Sequence, residues 1–281
     1  MDKYSAIDHP STDGEKMFNV AVETENVGYT DAAKLQYARS ASAGETRAMV
    51  NLGVIFSLGT DEEKSEVEGL FAKAAELGDI SGMRNLGYIN AVGICVPKNK
   101  ELGVKWYTEA AEKGHVKAQC NLAVMLRKGN GVAKDPQEAV KWFRRSAEAG
   151  YFRAQANLAA MYLAGEGVGA DAKEAFHWYS ESAKNGSLRG QYNLGMMYFN
   201  GIGINRNIEL AESLYRSAAE MGYSKAMFAL GDIIEKRGRL DEALRWYISG
   251  ASKQEPRCIK KLEELSLPVP VYTGRKNRRP R

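Results

Sequence analysis

Hydrophobic and polar positions in this chain follow a helical beat, broken by glycines. In HVKAQCNLAVMLRKG, residues 115–129, Val116, Leu122, Met125 and Leu126 recur at helical spacing and mark the buried stripe of one helix. A turn containing Gly129 and Gly131 follows; glycine accepts positive φ without a Cβ clash, which suits a helix end and a tight reversal. Asp135 then has the chemistry of an N-cap, with Pro136 at the first helical position and Glu138 three residues beyond the cap. The second helix, PQEAVKWFRRSAEAG, presents Ala139, Trp142, Phe143 and Ala147 as its apolar face and stops at Gly150. The two segments predict an α-helical hairpin.

That hairpin repeats every 36 residues. Gly78, Gly114, Gly150, Gly186 and Gly222 form a ladder at this spacing, with Gly44 34 residues before the first. Seven residues after each rung stands Asn51, Asn85, Asn121, Asn157 or Asn193, replaced by Ala229 in the last repeat. Eight residues before a rung comes Leu70, Trp106, Trp142, Trp178 or Leu214, each followed by an aromatic. Gly129 and Gly131 recur as Gly165 and Gly167 and as Gly201 and Gly203, whereas the earlier repeat has Gly93 and Cys95. Asn99, Asp171 and Asn207 share the cap position of Asp135. Six hairpins are expected, starting near Glu45, Asp79, His115, Tyr151, Ser187 and Tyr223. Ala118, Ala154, Gly190 and Ala226 are small enough to let neighbouring helices approach closely. The last hairpin has a loop about four residues shorter, because Gly222 to Trp246 is 24 residues and Gly114 to Trp142 is 28.

AQANLAAMYLAGEGVGADAKEAFHWYSESAKNG resembles the Sel1-like repeat, a relative of the tetratricopeptide repeat with a longer loop, and the likeness runs from about Ala32 to Gly250. The resemblance implies an all-α, right-handed superhelical solenoid whose first helices line a concave face. Residues 31–252 are the expected solenoid, led by a half-repeat. Residues 1–30 are an N-terminal segment, partly disordered or forming a capping helix. Residues 253–268 are a C-terminal capping helix, and 269–281 a basic disordered tail.

Composition narrows the function. The chain has 281 residues, 44% hydrophobic and 26% charged, with a mean hydropathy of −0.41 and no apolar run of membrane-spanning length. The polar start MDKYSAIDHPSTDGEK has no secretion-signal core, so a cytoplasmic location is expected. Cys95, Cys120 and Cys258 are odd in number and far apart, as suits reduced thiols. The glycine pairs do not make a phosphate loop: helices flank them and no Gly-Lys-Ser/Thr occurs. His9, His115 and His177 form no metal motif, and no Ser-x-x-Lys exists, although some cysteine-rich Sel1-like proteins are linked with β-lactam hydrolysis. No metal, no cofactor and no catalytic residue is expected; a β-lactamase-like hydrolase is the alternative class.

A non-catalytic adaptor that holds a protein or peptide on the first-helix face is therefore expected. Four residues before the asparagine positions stand Arg47, Ser81, Lys117, Arg153, Arg189 and Lys225, five of the six basic. A basic residue and an asparagine one turn apart resemble the carboxylate clamp of tetratricopeptide domains: the cation attracts a carboxylate and the amide pairs with peptide backbone. The candidate site is thus Arg47, Asn51, Asn85, Lys117, Asn121, Arg153, Asn157, Arg189, Asn193 and Lys225. Two alternatives stay open for these residues: asparagines that only brace the solenoid, and cations that only solubilise it. A second candidate is the tail with Arg275, Lys276, Arg278, Arg279 and Arg281, which could meet nucleic acid, an acidic membrane surface or an acidic protein, or serve only solubility.

Overall fold

A computed structural model describes residues 13–28 and 30–270. Among the described residues there are fifteen α-helices and no strand, and the chain divides into two compact units after Trp142.

The first unit contains α1 (Asp13–Asn26), α2 (Thr30–Ser42), α3 (Thr46–Phe56), α4 (Asp61–Glu76), α5 (Ile80–Val92), α6 (Lys100–Glu112), α7 (Val116–Lys128) and the start of α8 (Pro136–Glu148). Helices pair as the hairpins α1–α2, α3–α4 and α5–α6, and each second helix packs on the first helix that follows it. Successive first helices also touch directly, α3 against α5. The second unit holds the end of α8, then α9 (Phe152–Ala164), α10 (Ala172–Lys184), α11 (Leu188–Asn200), α12 (Ile208–Glu220), α13 (Ser224–Lys236), α14 (Leu240–Ser252) and α15 (Pro256–Glu264). It pairs α9–α10, α11–α12 and α13–α14, with α9 touching α11 and α15 packed on α14.

Each expected hairpin start is a helix cap. Glu45, Asp79, His115, Tyr151, Ser187 and Tyr223 are the N-caps of α3, α5, α7, α9, α11 and α13. Asp79 Oδ1 accepts from the Ser81 and Gly82 N–H groups at 2.8 and 3.0 Å, and Ser187 Oγ from Gly190 N–H at 3.0 Å. These bonds satisfy donors that a helix start otherwise leaves unpaired. At the other end, Gly129 adopts φ 68° and its N–H donates to the Met125 carbonyl. Gly131 follows at φ 71°, and a Cβ there would lie 2.5 Å from the Lys100 backbone. Cys95 keeps the same left-handed backbone, φ 64°, without being glycine.

Small residues set the spacing between hairpins. Ala118, Ala154 and Ala226 are fully buried, and a Cβ on Gly190 would meet the Ala183 nitrogen at 2.8 Å. Two buried glutamines add polar stitches: Gln119 Nε2 donates to the Ala111 carbonyl at 3.2 Å and Gln155 Nε2 to that of Ala147 at 3.1 Å. Each adds a second hydrogen bond to a carbonyl near the end of the preceding helix, which also accepts from the Gly114 or Gly150 N–H.

The leading segment is a full hairpin. Its first helix is α1, whose Ala21 is buried, whose Phe18 ring lies 5.9 Å from Tyr37, and whose Gly14 carbonyl accepts from Ser40 Oγ at 2.6 Å. At the other end α15 buries Cys258 and Leu262. The shorter last turn is present too, with α14 starting four residues after α13 ends and Gly238 at φ 78° between them.

Candidate functional site

The ordered first helices carry their exposed polar residues at fixed positions. Arg47, Lys117, Arg153, Arg189 and Lys225 are exposed, while Asn51, Asn121, Asn157 and Asn193 are half-buried and Asn85 is buried. A spacing of four residues puts each cation and asparagine of one helix on the same side. Asn51, Asn85, Asn121 and Asn157 each bond a partner other than the residue four positions earlier.

Those partners depend on the aromatic 14 residues earlier, on the preceding second helix. Where it is tyrosine, the amide meets the phenol: Asn51 Nδ2 donates to Tyr37 Oη at 3.2 Å, and the Asn121 side chain hydrogen-bonds the Tyr107 hydroxyl. Burial, as the largest cause, pushes both phenols up to about 12; at Tyr37 the hydrogen bond to Glu25 adds to it. Where the aromatic is Phe71 or Phe143 there is no hydroxyl, and the amide oxygen accepts from arginine instead. Asn85 Oδ1 takes Arg84 Nη1 at 2.7 Å, and Asn157 Oδ1 takes Arg189 Nη1 from the next repeat at 3.1 Å. Two of the asparagines thus brace phenols, and two sit beside guanidinium groups.

The cations also differ. Arg47 is engaged: its Nε donates to Glu45 Oε1 at 2.8 Å, its Nη2 lies 3.5 Å from Glu15, and its guanidinium stacks 4.6 Å from the Phe18 ring. Its hydrogen bond holds the Glu45 carboxyl below the usual range. Arg153 lies 5.9 Å from the Phe152 ring. In the second unit, Arg153, Asn157 and Arg189 come together around one cavity of about 440 Å³, floored by Phe152, Ala156 and Leu188. The sixth hairpin departs from the pattern: it has Ala229 in place of asparagine, and carries Asp232 and Glu235, paired with Lys236 and Lys261 at 2.7 and 2.8 Å.

A second cavity, of about 340 Å³, lies in the first unit between α3 and α5. Val54, Leu58, Tyr88 and Ile94 give it an apolar wall, and Arg84 and Asn85 supply the polar edge. Arg84 is absent from the sequence-derived set, because the position four before Asn85 is Ser81. Its signal is its place immediately before Asn85 and four residues before Tyr88, whose ring lies 5.5 Å from the guanidinium.

Charge separates by helix. The first helices α3, α5, α7, α9 and α11 contain Arg47, Arg84, Lys117, Arg127, Lys128, Arg153 and Arg189 and no Asp or Glu. The second helices α4, α6, α8, α10 and α12 contain sixteen acidic residues against ten basic ones. The chemistry on offer at the first helices is recognition of anions, by guanidinium, ammonium and amide groups set over apolar surface.

Elsewhere, Cys120 and Cys258 are buried, and burial raises the Cys258 thiol to about 12, which keeps it protonated at neutral pH. Among the described residues no three His, Cys, Asp or Glu side chains are grouped to hold a metal ion, and no helix is long and apolar enough to cross a membrane. The tail residues Arg275, Lys276, Arg278, Arg279 and Arg281 lie outside the described residues.

Capped helical hairpins in phase, docked on one another within each unit, define an all-α repeat solenoid. The Sel1 repeat model matches residues 46–79, 80–115, 116–151, 152–187, 188–223 and 224–254, and the chain belongs to the Sel1 repeat family. It is similar to a Sel1 repeat protein from Oxalobacter formigenes, with 30% identity over 84% of this chain and 99% of that one and a TM-score of 0.78. It is also similar to c5321, a protective antigen with an SLR fold in uropathogenic Escherichia coli strains, with 27% identity over 90% of this chain and a TM-score of 0.72. This chain spans 56% of that antigen's length. No match was found among curated proteins. Sel1 repeats as a class are protein-interaction modules.

Proposed function

We propose that this protein is a non-catalytic adaptor that holds an acidic protein segment along its first helices. The observation that carries this reading is the charge separation: five consecutive first helices bear seven cations and no carboxylate. Such an excess of cations attracts an acidic partner over roughly a Debye length, about 8–10 Å in physiological salt. Support also comes from the Arg153–Asn157–Arg189 cavity, where two guanidinium groups and an amide flank an apolar floor. A charge-assisted hydrogen bond in that setting contributes about 1.5–3 kcal/mol. Lys117 and Arg153 are exposed cations, whereas Arg47 is spent on Glu45 and Glu15.

The test is affinity capture from native lysate with the wild-type chain and with a Lys117→Glu, Arg153→Glu double variant, followed by mass spectrometry. Both sites are exposed, so the helical signal and the melt should not change. The wild type is expected to retain acidic proteins that the variant loses. Identical retention by a folded variant would sink the proposal.

A further inference from the structure

The α3–α5 groove combines apolar surface with a cation that is incompletely used. Leu58 is 82% exposed, Val54 46% and Tyr88 41%, and all three line one cavity with Phe71 and Ile94. Exposed apolar side chains are ordinary singly, but a walled cluster of them marks a binding surface. At about 340 Å³ the cavity lies at the small end of ligand pockets, which run roughly 300–1,000 Å³, a scale that suits a side chain better than a cofactor.

Arg84 sets the character of the occupant. Its Nη1 is committed to Asn85 Oδ1 at 2.7 Å, but its Nε is buried and donates to no group among the described residues. A buried donor without an acceptor is an unfavourable arrangement. A small rotation of the guanidinium from its seat over Tyr88 would exchange it for a two-pronged contact with a carboxylate. Competition from the protein's own acids is weak here. No Asp or Glu lines the cavity, and Asp79 uses Oδ1 to cap α5.

We propose that the α3–α5 groove is a specificity pocket that takes one large apolar side chain of an acidic partner segment, with a carboxylate of the same segment held by Arg84. The pocket rests on the acidic-partner function proposed above and adds a selection rule to it. Acid attracts the segment to the first helices, and an apolar residue next to an acid fixes its register on the first unit. A purely acidic segment leaves the Val54–Leu58–Tyr88 wall wet, and a purely apolar one leaves the Arg84 donor unpaired.

The experiment selects peptides from a random twelve-residue display library on the full chain, then measures the affinity of the synthesised winners for variants. Winners are expected to carry Leu, Ile, Met or Phe beside Asp or Glu. They should bind Leu58→Asp and Arg84→Gln roughly tenfold or more weakly, the scale of an interface hot spot. Leu58 projects into solvent, so that variant reports binding without loss of fold; circular dichroism of both variants controls for it. Acidic winners that bind Leu58→Asp and Arg84→Gln as tightly as wild type, yet are lost on Lys117→Glu, would overturn the pocket and leave the charge-based function standing. Winners with no acidic bias, or no enrichment over an unrelated helical protein, would overturn both.

Discussion

At the scale of single residues, the repeat works by giving one position one backbone task and then varying the side chain. Gly131, Gly167 and Gly203 stand at φ 71°, 73° and 70°, and Cys95 occupies the matching place at φ 64°. A non-glycine residue in the left-handed region costs roughly 1–2 kcal/mol, and glycine returns part of that by its greater freedom when unfolded. Cys95→Gly is therefore expected to raise stability by about 0.5–1 kcal/mol, read from the midpoint of urea unfolding. An unchanged or lowered midpoint would mean that the half-buried thiol makes a contact worth as much as the strain. The asparagine row shows what the sequence leaves unstated. Its regularity was legible at once, but its tasks were not. Asn51 braces Tyr37 and Asn157 accepts from Arg189, and the choice depends on whether the aromatic 14 residues upstream has a hydroxyl. Arg84 lies off the register of the other cations, because α5 has Ser81 at the place four residues before its asparagine.

At the scale of helices, caps made the architecture readable, since every predicted hairpin start is an N-cap. The first helix α1 was the poorly marked element: it has no ladder glycine and no Asn-Leu pair, and its packing on α2, through Tyr37 and Ser40, identifies it as half of a hairpin. One cap also titrates. His115 starts α7, and its Nδ1 accepts from the Ala118 N–H at 3.3 Å, which requires the neutral ring. Burial first, and then the nearby Arg84, lowers its pKa below the ordinary 6.5. For a group depressed by folding, the stabilisation is present above the unfolded value and is lost as pH falls through the folded one. The urea midpoint of the wild type should thus drop between about pH 7.5 and 5. Replacement by aspartate, the residue that caps α5, keeps an acceptor that stays charged over that range. His115→Asp should flatten the pH dependence; parallel curves for the two proteins would show that the cap is not the titrating element.

At the scale of the whole molecule, two separate sources of positive charge have to be told apart. The formal net charge is +4, and five cations follow Tyr272, so basicity by total says little about the helices. The distribution says more, because α3, α5, α7, α9 and α11 hold seven cations and no acidic residue within their bounds, the cap Glu45 beside Arg47 lying just outside α3. If those helices bind an acidic segment, the affinity should fall steeply from about 50 to 500 mM salt, as the Debye length shrinks, while the thermal midpoint changes little. Truncation before Thr273 removes Arg275, Lys276, Arg278, Arg279 and Arg281 but none of the helix cations. The truncated chain should keep its affinity for an acidic peptide within about twofold, less than the loss of one charge-assisted hydrogen bond. Single-stranded RNA serves as the contrasting probe, because a basic tail without aromatics binds it through phosphate charge alone. RNA binding that disappears on truncation while peptide binding persists assigns the two anionic partners to separate parts of the chain. Loss of acidic-peptide binding on truncation would instead place recognition in the tail and leave the first helices with a structural role.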